Sequence, residues 1–510
     1  MKHIRSMLAG VLAVSLLCGG CSAPAPAPAD SPAPAGTPRQ VVQAETFPDF
    51  TDVPQGIWYE DAAYWCRRNH IMYGTTETTF SPPVLLTRGM LTMVLYQEAG
   101  SPAVSGKPAY TDVPESAWYT PSVMWCTDNQ SVYGYGGGLF GPLDPITREQ
   151  IVAVLWRYSG CPEAEAGEDF VDEADISAYA GTAMDWARAN GIIVGMGENR
   201  VEPKTYVTRA QAAVIFQRYF QWRRGASAVF MTTSLTPRGL VALYRALWWK
   251  PTGRMAVKLS TGELNSNYLR PELIGELIEL LGAPIVECNS ADGGPRSRTE
   301  SHFQLAERLG YTDLAEVDLL DEDGSTALPV SGGSCLTANY VGSHLLNYDS
   351  MLVLSHFSGH EMAGFSGAME NLSIGLASAE GKSHIRSGGT NSTMWGASQQ
   401  TYLDSMAEAG SAVEDALDGH IVYINVLTQL SVDCDCGEDP AEPEMADIGF
   451  LASRDPVALD QACVDLIYGA EDGEAMVRRI ENSGGQRTLE HAQELGLGSR
   501  EYYVIMVEPE

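Results

Sequence analysis

A unit of about sixty residues occurs three times in the first half of the chain. Phe50–Tyr59 carries a Thr-Asp and a Trp-Tyr pair that recur in Tyr110–Tyr119, and Phe170–Tyr179 repeats the pattern more loosely. A glycine recurs at the equivalent position of each unit, as Gly74, Gly134 and Gly195. A unit of this size cannot bury its own apolar face, so the three are predicted to pack against one another.

Each unit also contains a Thr-Arg pair that opens an apolar helical stretch. The pairs are Thr87-Arg88, Thr147-Arg148 and Thr208-Arg209. Thr is a good N-cap, so each unit is predicted to be a helix, a Gly-containing loop and a second helix. The aspartates at the repeat starts, Asp52, Asp112 and Asp172, are predicted to be structural.

These shared positions resemble the S-layer homology (SLH) domain over about residues 46–222. The resemblance implies an all-α-rich bundle of three repeats, at 47–104, 107–162 and 168–222. It also implies noncovalent binding to secondary cell-wall polysaccharide or another peptidoglycan-linked polymer. Arg88, Arg148 and Arg209 are the ligand-binding candidates, because a guanidinium group suits a carboxylate-bearing sugar. The alternative is a purely structural bundle.

The N-terminus has the parts of an export signal. Basic residues precede the apolar run Met7–Leu17, and Cys21 follows a Gly-Gly pair. Residues 1–21 resemble a bacterial lipoprotein signal, which implies lipidation at Cys21 and a membrane anchor, although Cys18 stands where Leu is usual. The alternative is an ordinary cleaved signal. Residues 22–46 are rich in Pro and Ala and are predicted to be an extended linker.

The charge balance excludes one class of partner. The chain has 32 Lys and Arg against 65 Asp and Glu, for a formal net charge of −33. Nucleic-acid binding needs clustered basic residues, so we expect no nucleic-acid partner. A polybasic membrane patch is disfavoured for the same reason.

The pattern changes in residues 226–510, where short apolar runs alternate with helical stretches. The predicted strands are Val229–Met231, Met255–Leu259, Pro284–Cys288, Met351–Ser355, Ile421–Leu427 and Ile448–Ala452. The clearest predicted helices are Pro271–Leu281 and Ala458–Tyr468. Alternation of this kind predicts an α/β domain with a mainly parallel sheet, so the whole chain is predicted to be multidomain. Ligands of such sheets bind at the carboxyl ends of the strands.

Polar side chains follow five of these strands, and two chemistries compete for them. His356 and His360, with Cys434 and Cys436 or Asp433, would suit zinc or iron. The alternative is that the histidines bond the backbone and the cysteines are free thiols or form a disulfide. Further candidates are Asn267, Glu361, Asn371, Asp455 and Asp460.

An acid/base site is the second chemistry. Lys258, Glu263 and His302 could bind or deprotonate an acidic substrate, and Lys258 at a strand end suits an anion-holding or Schiff-base role. An equally good interpretation is that Lys258 extends to solvent. Asp455 is predicted to be mainly an N-cap before Pro456. Lys382 and His384 are expected in an exposed loop.

The remaining cysteines are expected to have structural roles. Cys66 and Cys126 lie sixty residues apart on apolar helical faces and are predicted to be buried thiols. Disulfides such as Cys288–Cys335 are conceivable outside the cell.

The second half resembles the domain of unknown function 362, often labelled an iron–sulfur centre protein. The motifs that carry the resemblance are Lys258–Pro271, Ser355–Gly367, Cys434–Cys436 and Asp455–Gln461. Many members carry ferredoxin-like Cys clusters, but Lys382–Asp418 contains no Cys, so 4Fe-4S clusters of that type are not expected. Glu370 also replaces the Lys that usually precedes Asn371. The resemblance leaves open an enzyme and a noncatalytic wall-displayed binding or scaffold domain.

Overall fold

The computed structural model describes residues 48–164, 170–197, 199–390, 396–437 and 440–509. The predicted signal, Cys18, Cys21 and the Pro/Ala linker lie outside these residues. Among the helices of the described ranges, none is both long and apolar enough to cross a membrane. The described chain forms a helical module followed by an α/β domain, as the repeats and the apolar runs predicted.

The helical module contains two α-helices from each repeat. They are α1 (Glu60–Arg68), α2 (Arg88–Glu98), α3 (Thr120–Asp128), α4 (Arg148–Tyr158), α5 (Gly181–Ala189) and α6 (Arg209–Arg223). Thr87, Thr147 and Thr208 cap the second helix of each repeat, because each hydroxyl accepts a hydrogen bond from the third amide of its helix. The predicted N-caps are therefore confirmed.

The three repeats close into a ring around one apolar core. Helix α2 packs on α3, α4 on α5, and α6 returns to pack on α1. Short β-bridges join Leu85 to Thr208 and Thr147 to Tyr206, so the loops before the capped helices also pair across repeats. Each repeat therefore buries apolar surface against its neighbours in the ring.

Within each repeat, the opening Asp fixes the loop before the second helix. Asp52 accepts hydrogen bonds from the amides of Phe80 and Ser81, both at 2.7 Å. Asp112 and Asp172 hold the equivalent amides in the second and third repeats. The first repeat therefore has the same internal contacts as the other two, and the aspartates are structural, as predicted.

The α/β domain contains an eight-stranded sheet in the order β12-β1-β11-β10-β7-β2-β3-β4. The strands of the domain are β1 (Ser227–Thr232), β2 (Met255–Lys258), β3 (Ile285–Glu287), β4 (Val317–Leu319), β5 (Ser325–Pro329), β6 (Ala338–Gly342), β7 (Ser350–His356), β8 (Ser358–His360), β9 (Gly364–Ser366), β10 (Ile421–Leu427), β11 (Gly449–Ser453) and β12 (Tyr502–Met506). The helices are α7 (Pro237–Ala246), α8 (Pro271–Leu281), α9 (Thr299–Arg308), α10 (Ala368–Ser373), α11 (Ala379–Arg386), α12 (Gln399–Ala416), α13 (Pro456–Gly469), α14 (Glu474–Ser483) and α15 (Gln486–Glu494). The predicted mainly parallel α/β class is confirmed.

One strand runs against the others and moves a predicted strand end away from the site. Strand β11 is antiparallel to both β1 and β10, whereas the remaining pairs of the large sheet are parallel. Asp455 after β11 therefore lies at the opposite edge, where it accepts a 2.7 Å hydrogen bond from Ser227 Oγ at the start of β1. Asp455 also accepts from the amides of Val457 and Ala458, which confirms the predicted N-cap before Pro456.

The two parts of the chain meet through aromatic and cationic side chains. Trp248, just after α7, stacks on Phe170 of the third repeat with ring centroids 5.1 Å apart. The Arg188 guanidinium lies 3.6 Å from the Phe170 ring centroid and 3.4 Å from that of Trp248. Trp248 is almost fully buried and belongs to the core of the helical module, so the junction is packed rather than loosely tethered.

The predicted buried thiols are also confirmed. Cys66 and Cys126 are fully buried, and burial raises the pKa of each thiol well above its ordinary value. Cys288 and Cys335 are not bonded to one another, so the disulfide suggested for them does not form.

Candidate functional site

The carboxyl ends of β2, β3 and β7 and the loop after β10 surround a cleft of about 80 Å³. Of the predicted site residues, Lys258, His356, His360, Asn371, Cys434 and Cys436 line it. The charged and thiol-bearing residues of the cleft that the predicted site did not include are Glu287, Cys288, Asp292, Arg296, Glu370, Lys382, Arg386 and Asp435. Charged side chains of both signs thus line a small space at the predicted edge of the sheet.

Lys258 and Glu287 form a buried ion pair at the floor of the cleft. The Lys258 side chain is fully buried, and its Nζ lies 3.4 Å from Glu287 Oε1 and 3.1 Å from Asn371 Oδ1. Burial alone would raise the pKa of Glu287, but Lys258, Arg296 and His302 outweigh burial and lower it to about 2. Glu287 also accepts a hydrogen bond from the Thr261 amide. The Glu287 carboxyl is therefore ionised at neutral pH.

The other two acid/base candidates lie outside the lining of the cleft. Glu263 is buried and pairs with Arg296, whose Nε lies 2.9 Å from Glu263 Oε1. His302 is fully buried, with Thr261 Oγ1 2.8 Å from Nε2 and Asn289 Oδ1 3.2 Å from Nδ1. Burial, chiefly, lowers the pKa of His302 to about 4, so the ring is neutral at physiological pH. The structure brings Lys258 alone of the three to the cleft.

His356 uses both ring nitrogens in hydrogen bonds of its own. Its Nε2 lies 2.6 Å from the Thr428 carbonyl oxygen and its Nδ1 lies 2.8 Å from Asp435 Oδ2. Burial lowers the pKa of His356, but the Asp435 carboxylate and the Thr428 carbonyl outweigh it and the net pKa is raised. Both ring nitrogens donate in this arrangement, which leaves no lone pair for a metal ion.

His360 lies beside the cysteine pair. Ligand atoms of His360, Cys434 and Cys436 all lie within 4.8 Å of one another, which is close enough to hold a metal ion. The Nδ1 atom of His360 accepts hydrogen bonds from the amides of Met362 and Ala363, at 3.1 and 3.0 Å. Burial lowers the pKa of His360, so the ring is neutral and its proton lies on Nε2. A metal-bound histidine ordinarily donates from its second nitrogen, which is the opposite arrangement.

Cys434 and Cys436 form a disulfide. Thiolates, not disulfide sulfurs, bind zinc and iron, so the donor set fits a metal only when this pair is reduced. Cys436 is exposed and Cys434 half-buried. Among the predicted metal ligands, the structure therefore gathers three and separates His356 from them.

The loop that carries the disulfide is clamped by neighbours on both sides. Asp433 Oδ1 lies 2.8 Å from an Arg479 guanidinium nitrogen, and the Asp435 carboxylate bonds to His356. The Asp435 carbonyl oxygen accepts a 3.1 Å hydrogen bond from the Glu263 amide. The position of the two cysteines is therefore set by contacts other than their own bond.

Helix α11 brings two further cations, Lys382 and Arg386, to the cleft. Lys382 and His384 lie on this helix and are buried, so the prediction of an exposed loop was wrong. Lys382 Nζ donates a 2.6 Å hydrogen bond to the Ala377 carbonyl, and burial lowers the pKa of Lys382. Arg386 pairs with Asp292 through both guanidinium nitrogens.

The remaining candidates lie outside the cleft. Asp460 is fully buried on α13 and accepts hydrogen bonds from the amides of Ala368 and Met369, which open α10. Burial raises the pKa of Asp460 to about 6. Glu361 is exposed and Asn267 half-buried, and neither lines the cleft. Asp460 thus supports the start of α10, the helix that carries Asn371.

In the helical module, the three candidate arginines reach from one repeat into the next. Arg88 Nε donates to the Phe140 carbonyl at 2.9 Å, and Arg209 Nε donates to that of Phe80 at 2.9 Å. Arg148 makes the equivalent 2.7 Å bond to Val201. All three are buried, so they join the repeats, and their predicted contact with a polymer stays a prediction. The large exposed aromatic side chains of the module are Trp58, Tyr73, Trp118, Tyr133, Tyr135, Tyr179 and Tyr206.

The fold defines a modular protein in which a ring of repeated helix pairs is joined to an α/β domain with a polar cleft. The repeats match the S-layer homology domain at residues 109–152 and 169–213. Residues 255–465 match the domain of unknown function DUF362. The chain thus carries two S-layer homology repeats and a DUF362 domain, and its repeats place it at the cell surface or cell wall.

Similar proteins share only part of the chain. The exoglucanase XynX of Acetivibrio thermocellus is 28% identical over 35% of this chain and 17% of its own length. The surface-layer 125 kDa protein of Lysinibacillus sphaericus is 25% identical over 29% of this chain and 13% of its own. The chain spans less than a fifth of either relative. The lactate racemase apoprotein from Thermoanaerobacterium thermosaccharolyticum is 12% identical over 47% of this chain and 56% of its own, with a TM-score of 0.29, which does not establish a common fold.

Proposed function

We propose that this chain binds secondary cell-wall polysaccharide noncovalently through three repeats and displays a DUF362 domain whose cleft binds a small anionic molecule. The observation that carries the wall-binding part is the closed ring of three equivalent repeats. Arg209 closes the third repeat onto the first as Arg88 and Arg148 join the others. This equivalence supports residues 47–104 as a third S-layer homology repeat.

Exposed indoles on the ring would supply the contacts to a sugar. Trp58 and Trp118 occupy equivalent positions in the first two repeats and are 63% and 53% exposed. Aromatic faces bury apolar sugar surface, and the large ring can do so at little cost in side-chain entropy. The chain has a net charge of −33, so it is not attracted to an acidic polymer by its overall charge. Aromatic contacts to the sugar rings do not require such an attraction.

Sedimentation with purified cell walls tests this proposal. The full chain should sediment with intact walls and remain in solution when the wall polymer has been stripped with hydrofluoric acid. The double variant Trp58→Ala/Trp118→Ala should bind at least tenfold more weakly. Tyr468→Ala is the matched control, because this exposed aromatic lies on α13 in the other domain. Equal sedimentation with stripped and intact walls would refute polymer binding.

The buried cations of the cleft support the binding of a small anion. Lys258 and Lys382 are both buried and line the same 80 Å³ space. Lys382 Nζ donates one hydrogen bond to a carbonyl oxygen, and an ammonium group has three N–H donors, so an entering carboxylate or phosphate would accept a charge-assisted hydrogen bond from another. A ligand that binds only the folded chain raises its unfolding temperature. Inorganic phosphate and small carboxylates should therefore raise the unfolding temperature of the wild-type chain and should not raise that of Lys382→Met. If these anions changed the unfolding temperatures of the two chains equally, the result would favour a displayed scaffold without a ligand.

A metal centre is the second candidate for the cleft. The proximity of His360, Cys434 and Cys436 supports it, because two thiolates and one imidazole would leave a fourth position open on zinc or iron. The disulfide must first be reduced. Metal content of the full chain, measured with and without reductant, decides this candidate, and the absence of metal in both samples would exclude it.

A further inference from the structure

We propose that Cys434 and Cys436 are a redox-active pair that exchanges its disulfide with small dithiols in the cleft, with His360 hydrogen bonded to the leaving sulfur. The proposal does not depend on wall binding or on a resident metal. It assigns a two-electron thiol–disulfide exchange to the Cys434–Cys436 pair.

A purely structural role explains this disulfide poorly. Cross-linking stabilises a fold mainly by restricting the unfolded chain, and the effect grows with the length of the closed loop. This bond joins residues separated by only two positions, so it closes almost no loop. Asp433 and Asp435 are already held by Arg479 and His356. These contacts should therefore hold the loop in the same conformation whether the disulfide is oxidised or reduced.

The surroundings of the pair suit thiol–disulfide exchange. Cys436 is the exposed member of the pair and Cys434 is half-buried, so Cys436 is the sulfur that an external thiolate attacks and Cys434 is the leaving group. A ring nitrogen of His360 lies within 4.8 Å of both sulfurs. Because Nδ1 already accepts hydrogen bonds from two amides, Nε2 is the nitrogen that carries a hydrogen to donate to the leaving sulfur. Lys258 and Lys382 line the same cleft and favour a negative charge there.

The third cysteine of the cleft does not compete for the substrate. Cys288 lines the cleft, but its Sγ donates to the Leu376 carbonyl and is fully buried. Burial, chiefly, raises the pKa of Cys288 to about 12, so this thiol stays protonated and unreactive. A mixed disulfide formed at Cys436 then has two fates. Attack by the Cys434 thiolate restores the starting disulfide, and attack by the second thiol of the substrate completes the exchange.

The exchange balances without any further reactant. One substrate thiolate attacks Cys436 Sγ, the S–S bond breaks, and its electron pair goes to Cys434 Sγ, which becomes a thiolate that accepts the His360 hydrogen bond. The second substrate thiol loses its proton to solvent and attacks the substrate sulfur of the mixed disulfide, which releases Cys436 as a thiolate. The substrate is oxidised to a cyclic disulfide and the pair is reduced by two electrons. The small cleft suits a small dithiol better than a folded protein.

Thiol titration of the native full chain tests the proposal with dithiothreitol as the probe. Sub-denaturing dithiothreitol should release two additional reactive thiols and raise the intact mass by about 2 Da, while near-ultraviolet circular dichroism stays unchanged. Oxidised dithiothreitol should reverse both changes. Cys436→Ser should abolish the cycle, and Cys335→Ser, which alters a half-buried cysteine outside the cleft, should retain it.

A rate measurement separates a positioning role for His360 from a structural one. His360→Phe should slow reduction by dithiothreitol on the order of tenfold, because one hydrogen bond to a charged sulfur is lost. His360→Gln keeps an N–H donor and should recover part of the rate. If the disulfide of the wild-type chain is reduced only after unfolding, the proposal is wrong. The proposal would also be wrong if the chain as isolated contained one equivalent of metal bound by the thiols of Cys434 and Cys436.

Discussion

Arg209 at the start of α6 donates a 2.9 Å hydrogen bond from Nε to the carbonyl of Phe80, which precedes it by 129 positions. A second guanidinium nitrogen donates to the carbonyl of Tyr73 at 2.6 Å. The same guanidinium lies 4.9 Å from the centroid of the Phe80 ring. One buried side chain therefore joins the last repeat to the first and closes the ring.

Removing this contact should open the ring. Arg209→Met leaves two carbonyl oxygens of the first repeat without their donor, and an unsatisfied buried polar group costs about 1–3 kcal/mol. We expect the free energy of unfolding of the helical module to fall by about 2–4 kcal/mol in urea titrations followed by tryptophan fluorescence.

Arg68→Met is the control for this experiment. Arg68 is 59% exposed and lies 3.8 Å from Asp61, so its loss should cost less than about 1 kcal/mol. If Arg209→Met were no more destabilising than Arg68→Met, the buried contact would not be what closes the ring.

The ion pair between Lys258 and Glu287 predicts a second stability change. Lys258→Met leaves the buried Glu287 carboxylate without its partner, which should cost about 3–5 kcal/mol. The double variant Lys258→Met/Glu287→Gln removes both charges and should recover a large part of that loss. Chemical denaturation of the four chains gives the coupling between the two residues. Additive effects would show that the pair is not coupled.

The ionisation of Glu287 predicts how stability depends on pH. An unfolded Glu has a pKa of about 4.3, and the pKa of Glu287 in the folded chain is about 2. A lowered pKa means that the folded chain prefers the ionised form, so this stabilisation is present above about pH 4.3 and is lost as the pH falls towards 2. The unfolding free energy of Glu287→Gln should therefore vary less between pH 5 and 2, as measured by denaturation at fixed ionic strength. Parallel curves for the two chains would contradict this.

Much of the α/β fold was predictable because burial leaves a pattern in the sequence. The apolar runs Met255–Leu259, Met351–Ser355 and Ile421–Leu427 correspond closely to β2, β7 and β10. The direction of a strand in the sheet leaves no such pattern, because a buried apolar run has the same composition in a parallel and in an antiparallel strand. The antiparallel β11, which carries Asp455 to the opposite edge, could not be foreseen for that reason.

The cleft was predictable in part for a related reason. Lys258 is the last residue of β2, and Cys434 lies in the loop after β10, so the rule for parallel sheets places them at one edge. His356 follows a strand too, but its bonds to Asp435 and the Thr428 carbonyl depend on a neighbouring loop. Lys382 comes from a helix between strands, and nothing in its local sequence indicates where that helix packs.

A glycine beside Lys258 gives a prediction about the cleft. A Cβ at Gly375 would lie 2.8 Å from Lys258 Nζ and would clash with the Asn371 carbonyl oxygen. Gly375→Ala should therefore displace Lys258 and destabilise the domain by about 1–3 kcal/mol. Gly469→Ala is the matched control, because nothing lies within 4 Å of a Cβ there. Thermal unfolding of both variants checks this, and equal midpoints would mean that the cleft can relax around the added methyl group.

The redox state of the cysteine pair predicts when the chain can hold a metal. The disulfide offers no thiolate, so the chain purified under air should contain less than about 0.1 equivalent of zinc or iron. After reduction, zinc added alone should bind with one equivalent if the imidazole and two thiolates form a site, and Cys434→Ser should remove it. His356→Gln should bind zinc as the wild-type chain does, because both nitrogens of His356 are already used as donors. Elemental mass spectrometry after gel filtration measures all four samples. Loss of zinc in His356→Gln would mean that His356 gives up its bonds to Asp435 and Thr428 and joins the reduced cysteines as a ligand.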